Sequence, residues 1–274
     1  MFKIIACIVV YNNSFEEIKD MVKEFYKENI NQKLVIVDNS NTGYLKDNLL
    51  LINNEIEYII SENKGYGHGN NLVIKKYEGQ AKYFLIMNPD IFIKFEDLVK
   101  LLNYADKISE FGIIMPKIIF PDGELQYVCK LFPNPFNLFV RRFLGNTPLA
   151  QKMDYEYELR FTNYEKEMIV PVLSGSFMLC DYGKLIKENG FDSIFFMYME
   201  DVDLSRRMYK HGNYFYPEIS VIHKHNKESY RSLKMVFIHI LSAIKYFNKW
   251  NWFSDKERKE INKKIIKSYK KGNV

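Results

Sequence analysis

Three carboxylates fall within four residues at Glu200, Asp201 and Asp203, directly after the run Phe195-Phe196-Met197-Tyr198-Met199 and directly before Arg206 and Arg207. Acids at this spacing suit the first turn of a helix, where they favour the positive end of the dipole, with Leu204 and Met208 supplying an apolar stripe. Capping alone does not account for the aromatic run in front of them. Such a run seeks burial and would carry the acids to a pocket edge, where a carboxylate beside apolar walls is a general-base candidate.

The elements that must position these acids begin at the N-terminus. Residues 3–10 form a continuous apolar strand, and Ser14-x-x-Glu17 is a capping box opening a helix with Phe15, Ile18, Val22 and Phe25 on one face. A strand at Leu34–Val37, a helix near 43–52, a strand at 56–60, a loop at 61–69, a helix to about Tyr77 and a strand at Tyr83–Met87 follow. This alternation implies a parallel sheet flanked by helices on both faces, and ligands of such sheets bind at the carboxyl ends of the strands. Those ends carry Tyr11-Asn12, Asp38-Asn39-Ser40, the stretch Asn63–Asn71 with Gly65 and Asn70, and Asn88-Pro89-Asp90. Each cluster alone reads as turn chemistry. The glycine-rich stretch is neither Gly-x-Gly-x-x-Gly nor a P-loop and is a weak phosphate signal by itself. Four polar clusters at one sheet edge, facing a later acidic cluster, point to a site.

Further along, Phe111–Phe120 is strand-like, Phe132–Arg142 mixes prolines, aromatics and a basic pair, and the next thirty residues show no periodicity. Arg141 and Arg142 read as solvated surface arginines. Val170–Cys180 reads as one strand, on which Gly175 between Ser174 and Ser176 permits close approach of a ligand. His223 and His225, two apart on a strand, are a possible zinc pair. His68, His211 and His239 are left unassigned as loop, helix-end and helix-face residues. From Tyr230 onward an amphipathic helix carries Leu233, Val236, Phe237, Ile240, Leu241, Ile244 and Phe247 on one stripe, followed by Trp250, Trp252, Phe253 and lysine-rich sequence. That segment fits either an anionic membrane surface or a helix packed on the core with a solvated tail.

The totals set bounds. A chain of 274 residues, 47% hydrophobic, buries one large core. The net charge of +5 is uneven: from Lys224 onward there are fourteen Lys/Arg against four Asp/Glu, so the preceding 223 residues are net negative by five. Cys7, Cys129 and Cys180 lack any Cys-x-x-Cys spacing, which predicts buried, reduced thiols and a cytoplasmic protein. Ile4–Val10 reads as a strand rather than a signal peptide, and no apolar run approaches the ~20 residues of a membrane span. No motif supports nucleic-acid binding.

Taken in order, Val9-Val10-Tyr11-Asn12, Val37-Asp38-Asn39-Ser40, Asn63-x-Gly65-Tyr66-Gly67-x-Gly69-Asn70-Asn71, Asn88-Pro89-Asp90, Ser174-Gly175-Ser176 and Phe196-Met197-Tyr198-Met199-Glu200-Asp201-Val202-Asp203 resemble family 2 glycosyltransferases. Within these they are most similar to the rhamnosyltransferase-like branch of bacterial surface-polysaccharide synthesis, and the match runs from residue 3 to about 250. The resemblance implies an α/β GT-A fold with a mostly parallel central sheet, a catalytic domain over 1–228, and a helical extension over 229–274 packed on it. It implies an inverting, metal-dependent transfer from a nucleotide-diphospho-sugar, dTDP-rhamnose being favoured over a UDP-sugar, to a growing, lipid-linked glycan at the inner face of the cell membrane. By the same resemblance Asp201, beside Glu200, is the base; Asp90 and His223 hold Mg²⁺ or Mn²⁺; Asp38 reads the pyrimidine. Tyr11, Asn12, Asn63, Gly65, Asn70, Asn88, Ser174 and Gly175 complete the nucleotide-sugar site. Two positions depart from the family pattern: Asn88 stands where an Asp is usual, and Val10 where a Thr is usual. A zinc hydrolase built on His223 and His225, or a catalytically silent membrane scaffold, are the rival readings.

Overall fold

A nine-stranded sheet organises the chain; the computed structural model describes residues 1–145, 147–224 and 233–271. One half of the sheet is parallel, in the order β3-β2-β1-β4, from β1 (Phe2–Val10), β2 (Gln32–Asp38), β3 (Glu57–Ile60) and β4 (Ala81–Met87). The crossovers are α1 (Phe15–Phe25), α2 (Lys46–Ile52) and α3 (Tyr66–Lys76). Residues 4–10 and 34–38 are almost wholly buried, as continuous apolar strands covered on both faces must be. The predicted capping box opens α1, with Ser14 N–H donating to Glu17 Oε2 at 3.1 Å. The register places Val10 beside Asp38, Asp38 beside Ile60 and Ile8 beside Met87, so the four strands end at one edge.

Beyond β4 the sheet is mixed. After β5 (Ile91–Phe92), α4 (Phe95–Lys107), β6 (Ile113–Ile119) and the short β7 (Cys129–Lys130) come two helices, α5 (Pro135–Phe143) and α6 (Pro148–Tyr157). They fill the stretch in which no periodicity is visible, each with a proline in its first turn and a side-chain cap, from Asn134 and Thr147. β8 (Met168–Ile169) pairs with the sheet, while β9 (Val172–Leu173) pairs with β7 in a separate ribbon. The single strand expected over Val170–Cys180 is therefore broken: Gly175 and Ser176, after Ser174, form a turn between β9 and β10 (Phe177–Asp181). Because β10 runs antiparallel to both β4 and β6, that turn enters at the edge where the parallel strands end. α7 (Tyr182–Lys187), α8 (Glu200–Met208) and β11 (Asn213–His223), which is parallel to β6, complete this half.

The chain closes with α9 (Leu233–Trp250) and α10 (Lys256–Lys271). The expected boundary at 228/229, like His225 and Tyr230, lies outside the described residues. α9 turns Ser242, Tyr246 and Phe247 to the core, while Leu233, Phe237, Ile240, Leu241 and Ile244 of the stripe read from the sequence stay exposed. The two helices are tied to α8 by buried charge. Arg206 donates to both oxygens of Asp255, at 2.7 and 2.8 Å, and its guanidinium lies over the rings of Phe132 and Trp250. Asp203, fully buried, accepts from Trp250 Nε1 at 2.8 Å and pairs with Arg207 and Lys249. Removing one partner of a buried pair strands the other. Asp255→Ala is expected to lower stability by roughly 3 kcal/mol, read as a shift of the urea midpoint without change of slope.

Candidate active site

The backbone that delivers the acidic cluster is unusual. Tyr198 and Met199 are both left-handed, with φ of 67° and 65°, and Met199 is the N-cap of α8 without a side-chain cap. The turn divides the three acids. Asp201 lines a cavity of ≈ 270 Å³ with Lys130, Ser174, Tyr198 and His239. Glu200 is 6% exposed, and its Oε2 finds no hydrogen-bond partner among the described residues. Asp203 points to α9 and plays no part in the cavity. Asp201 is held by backbone donors on both oxygens, Gly175 N–H to Oδ2 at 2.9 Å and Val202 N–H to Oδ1 at 2.8 Å. A carboxylate fixed in this way keeps lone pairs for a hydroxyl entering from the cavity.

Hydrogen bonds stitch the predicted clusters into one rim. Asn39 N–H donates to Val10 C=O at 2.9 Å, and Asn39 Nδ2 donates to Gly65 C=O at 3.3 Å. Tyr66 N–H donates to Phe196 C=O at 3.1 Å, and its hydroxyl donates to Gly175 C=O at 3.0 Å. Asn88 N–H donates to Ser176 C=O at 2.9 Å. The glycine-rich stretch is not the loop expected over 61–69: α3 starts at Tyr66, and Asn63 Oδ1 accepts from Gly65 N–H at 3.2 Å. Its glycines serve close packing. Gly65 has φ of 107° and a Cβ there would strike the Phe196 carbonyl, while a Cβ on Gly67 would lie 2.8 Å from that of Phe191. Asn70 donates to Tyr66 C=O at 3.1 Å, and Asn71 exchanges two hydrogen bonds with the Phe191 backbone. These two amides hold the rim together.

Asp38 is occupied by its own loop. Its oxygens accept from Ser40 N–H at 2.8 Å, the Ser40 hydroxyl, Gly43 N–H at 2.8 Å and the Tyr58 hydroxyl at 2.9 Å. Burial opposes ionisation there, but these donors prevail and hold the carboxyl below its ordinary value. Tyr11 is 58% exposed beside it, and Asn12 is left-handed with φ of 59°.

Asp90 and His223 do come together, with Nε2 3.2 Å from Oδ2. The other ring nitrogen faces Gln126 Oε1 at 2.8 Å, and Lys224 N–H donates to the Asp90 carbonyl at 2.8 Å. Adjacent ligands about 2.1 Å from an octahedral ion lie roughly 3 Å apart, so this pair fits Mg²⁺ or Mn²⁺ when a diphosphate and water supply the remaining positions. No cluster of three or more His, Cys, Asp or Glu side chains suited to a metal occurs among the described residues.

Several residues escaped the sequence reading. Lys130 and His239 line the Asp201 cavity, and the His239 ring packs 4.9 Å from that of Tyr198. Burial and Arg141 lower the pKa of Lys130; burial and Arg142 lower that of His239. An isolated lysine on a two-residue strand and a histidine in an apolar helix carry no signal of their own. Arg141 is neither solvated nor available, being paired with Asp154 and with Glu158 at 2.7 Å. His211 pairs with Glu188 at 3.1 Å, and His68 lies within α3.

The family model for glycosyl transferase family 2 matches residues 5–169. The chain belongs to glycosyl transferase family 2. It is a glycosyltransferase with the GT-A fold. It is 27% identical over 253 residues to the rhamnosyltransferase WbbL of Escherichia coli K12, covering 87% of this chain and 90% of that one. It is 29% identical over 173 residues to the N-acetylglucosaminyl-diphospho-decaprenol L-rhamnosyltransferase of Mycobacterium tuberculosis, covering 59% and 56%. The crystal structure of GalNAc-T7 with UDP, GalNAc and Mn²⁺ superposes with a TM-score of 0.65 at 13% identity, over 93% of this chain and 49% of that one. No helix among the described residues is long and apolar enough to cross a membrane. Cys7, Cys129 and Cys180 are buried and free.

Burial first, then the charge of Asp201, raises the pKa of Glu200 well above the ordinary carboxylate range. A raised folded value means that the native state binds this proton more tightly than the unfolded chain. Its stabilising contribution is present at acid pH and is lost as pH climbs from the unfolded value towards the folded one. Glu200→Gln should therefore gain thermal stability relative to the parent as pH goes from 5 to 8.5, in paired melting curves. A constant difference between the two proteins would show that Glu200 titrates normally.

Proposed function

We propose that this glycosyltransferase moves L-rhamnose from dTDP-rhamnose, with inversion and with the help of Mg²⁺ or Mn²⁺, to a lipid-linked glycan at the inner face of the cell membrane. The observation that carries the reading is Asp201, held by two backbone N–H groups at the floor of a cavity and joined through Gly175 and Ser176 to the Asn88-Pro89-Asp90 turn. The donor and the acceptor class are supported by the names of the two relatives, both rhamnosyltransferases and one of them named for a diphospho-decaprenol acceptor.

In this reading the acceptor hydroxyl gives its proton to Asp201 as its oxygen bonds to the anomeric carbon. The bond from that carbon to the diphosphate breaks in the same displacement, and the electron pair leaves with the nucleoside diphosphate. Asp90 and His223 would hold the cation, which when bound offsets charge on the leaving diphosphate. Burial, and then the neighbouring Asp201, raises the pKa of Glu200 to about 8, which favours its protonated form. Tyr11, Asn12, Asn63, Gly65, Asn88, Ser174 and Gly175 form the walls of the donor site, and Asn70 fixes α3 behind them. Asp38 reaches the nucleobase when the Ser40 or Tyr58 hydroxyl yields its place; in the free protein it shapes the 38–43 loop. α9 adds His239 to the cavity wall.

Replacing the base tests the assignment. Asp201→Asn keeps an acceptor for the Gly175 N–H, so nucleotide affinity should stay within about twofold while kcat falls roughly 10²- to 10⁴-fold. Turnover at the parent rate would remove Asp201 from the mechanism.

A further inference from the structure

A second cavity, of ≈ 200 Å³, lies between α5 and α9, lined by Leu138, Phe139, Phe143, Ile240, Ile244 and Trp252 among others. Its walls are open to solvent: Phe139 is 56% and Phe143 53% exposed, and Phe136 and Phe237 beside them exceed 60%. Apolar surface of this extent marks a contact site rather than an ordinary protein surface. The trough is also continuous with the Asp201 cavity, because Leu138, Arg142 and His239 line both. Along that channel the chemistry changes in order. It is apolar at the outer end and cationic at Arg142 and Lys130, and it ends at Asp201, the one acid among the described residues that line the inner cavity.

We infer that this channel is the acceptor subsite for a hydrocarbon-diphosphate-linked sugar, the trough taking the chain, Arg142 and Lys130 the diphosphate, and Asp201 the reacting hydroxyl. This rests on the transferase reading above and assigns its lipid-linked acceptor a place on the chain. Apolar, cationic and basic groups in that order complement the hydrocarbon, the diphosphate and the hydroxyl of such an amphiphile. Concavity favours one chain over a bilayer, since a leaflet meets a convex or flat face while a single chain is enclosed on two sides by α5 and α9. Guanidinium and ammonium groups over a diphosphate supply charge-assisted hydrogen bonds.

The chain has two tryptophans, and Trp252 stands in the trough while Trp250 packs on Arg206. Tryptophan emission therefore reports on the trough, with Trp252→Phe as the control that assigns the signal. The full-length protein would be titrated with geranylgeranyl diphosphate below its micelle concentration, inorganic diphosphate, geranylgeraniol and phosphatidylglycerol vesicles. The prenyl diphosphate should bind at least tenfold more tightly than inorganic diphosphate or the alcohol. Ile240→Asn, on an already exposed position, should weaken the prenyl diphosphate at least tenfold and leave inorganic diphosphate within twofold. Arg142→Gln should weaken both. Equal affinity for the two diphosphates, or an Ile240→Asn variant that binds like the parent, overturns the subsite. So does vesicle binding that is lost in Ile240→Asn while prenyl diphosphate binding is kept, which would make the trough a membrane contact. Nucleotide binding followed in the same samples separates the two claims. Prenyl diphosphate binding without nucleotide binding supports the trough as a prenyl diphosphate site and overturns the nucleotide-sugar donor proposed above, and the opposite pattern overturns the subsite alone.

Discussion

The site depends on two consecutive left-handed residues, Tyr198 and Met199, ahead of α8. A non-glycine residue in this region costs on the order of 1–3 kcal/mol, so the surrounding structure must hold it. It does so from three sides. α3 receives the Phe196 carbonyl at Tyr66 N–H, α9 donates Ser242 Oγ to the Met197 carbonyl at 2.7 Å and Lys245 Nζ to the Ile194 carbonyl at 2.6 Å, and Phe195 and Met199 are buried with Tyr246 and Phe247. What the strain gains is direction: the same turn sends Glu200 into the interior, Asp201 to the cavity and Asp203 to the last helices.

The C-terminal helices hold the acidic helix as well. Arg206 and Asp203 project from α8 to meet Asp255, Trp250 and Lys249, so the helix that begins with the candidate base is locked along its length by α9 and α10. Buried ion pairs of this kind contribute little net stability, because desolvation offsets most of the attraction. Their value here is registry. Moving α9 would move His239 and the Tyr198 backbone together, and with them the wall of the cavity.

Much of this was legible in the sequence because it depends on local period and on strand ends. The continuous apolar runs of β1, β2 and β4 announce buried parallel strands, and polar residues just after them then fall at one edge by register alone. The Ser14 box and the acidic start of α8 are likewise local signals. The resemblance supplied the pairing of Asp90 with His223, which lie 133 positions apart in the chain. What was not legible arises from packing between distant segments. Gly67 looks like loop punctuation yet sits in a helix because Phe191 needs the space. The break in Val170–Cys180 follows from Gly175 donating to Asp201, and the inward face of α9 is set by Ser242 and Tyr246 rather than by its most apolar stripe. Asp38 reads as a ligand residue, but four donors from its own neighbourhood claim it first.

The most direct test of a metal-assisted nucleotide-sugar site at this sheet edge is calorimetric titration of the purified protein with dTDP, UDP and GDP, each with and without Mn²⁺. The account predicts binding of dTDP that requires the metal and exceeds that of UDP and GDP. Binding of none of the three nucleotides, with the metal present, would contradict it.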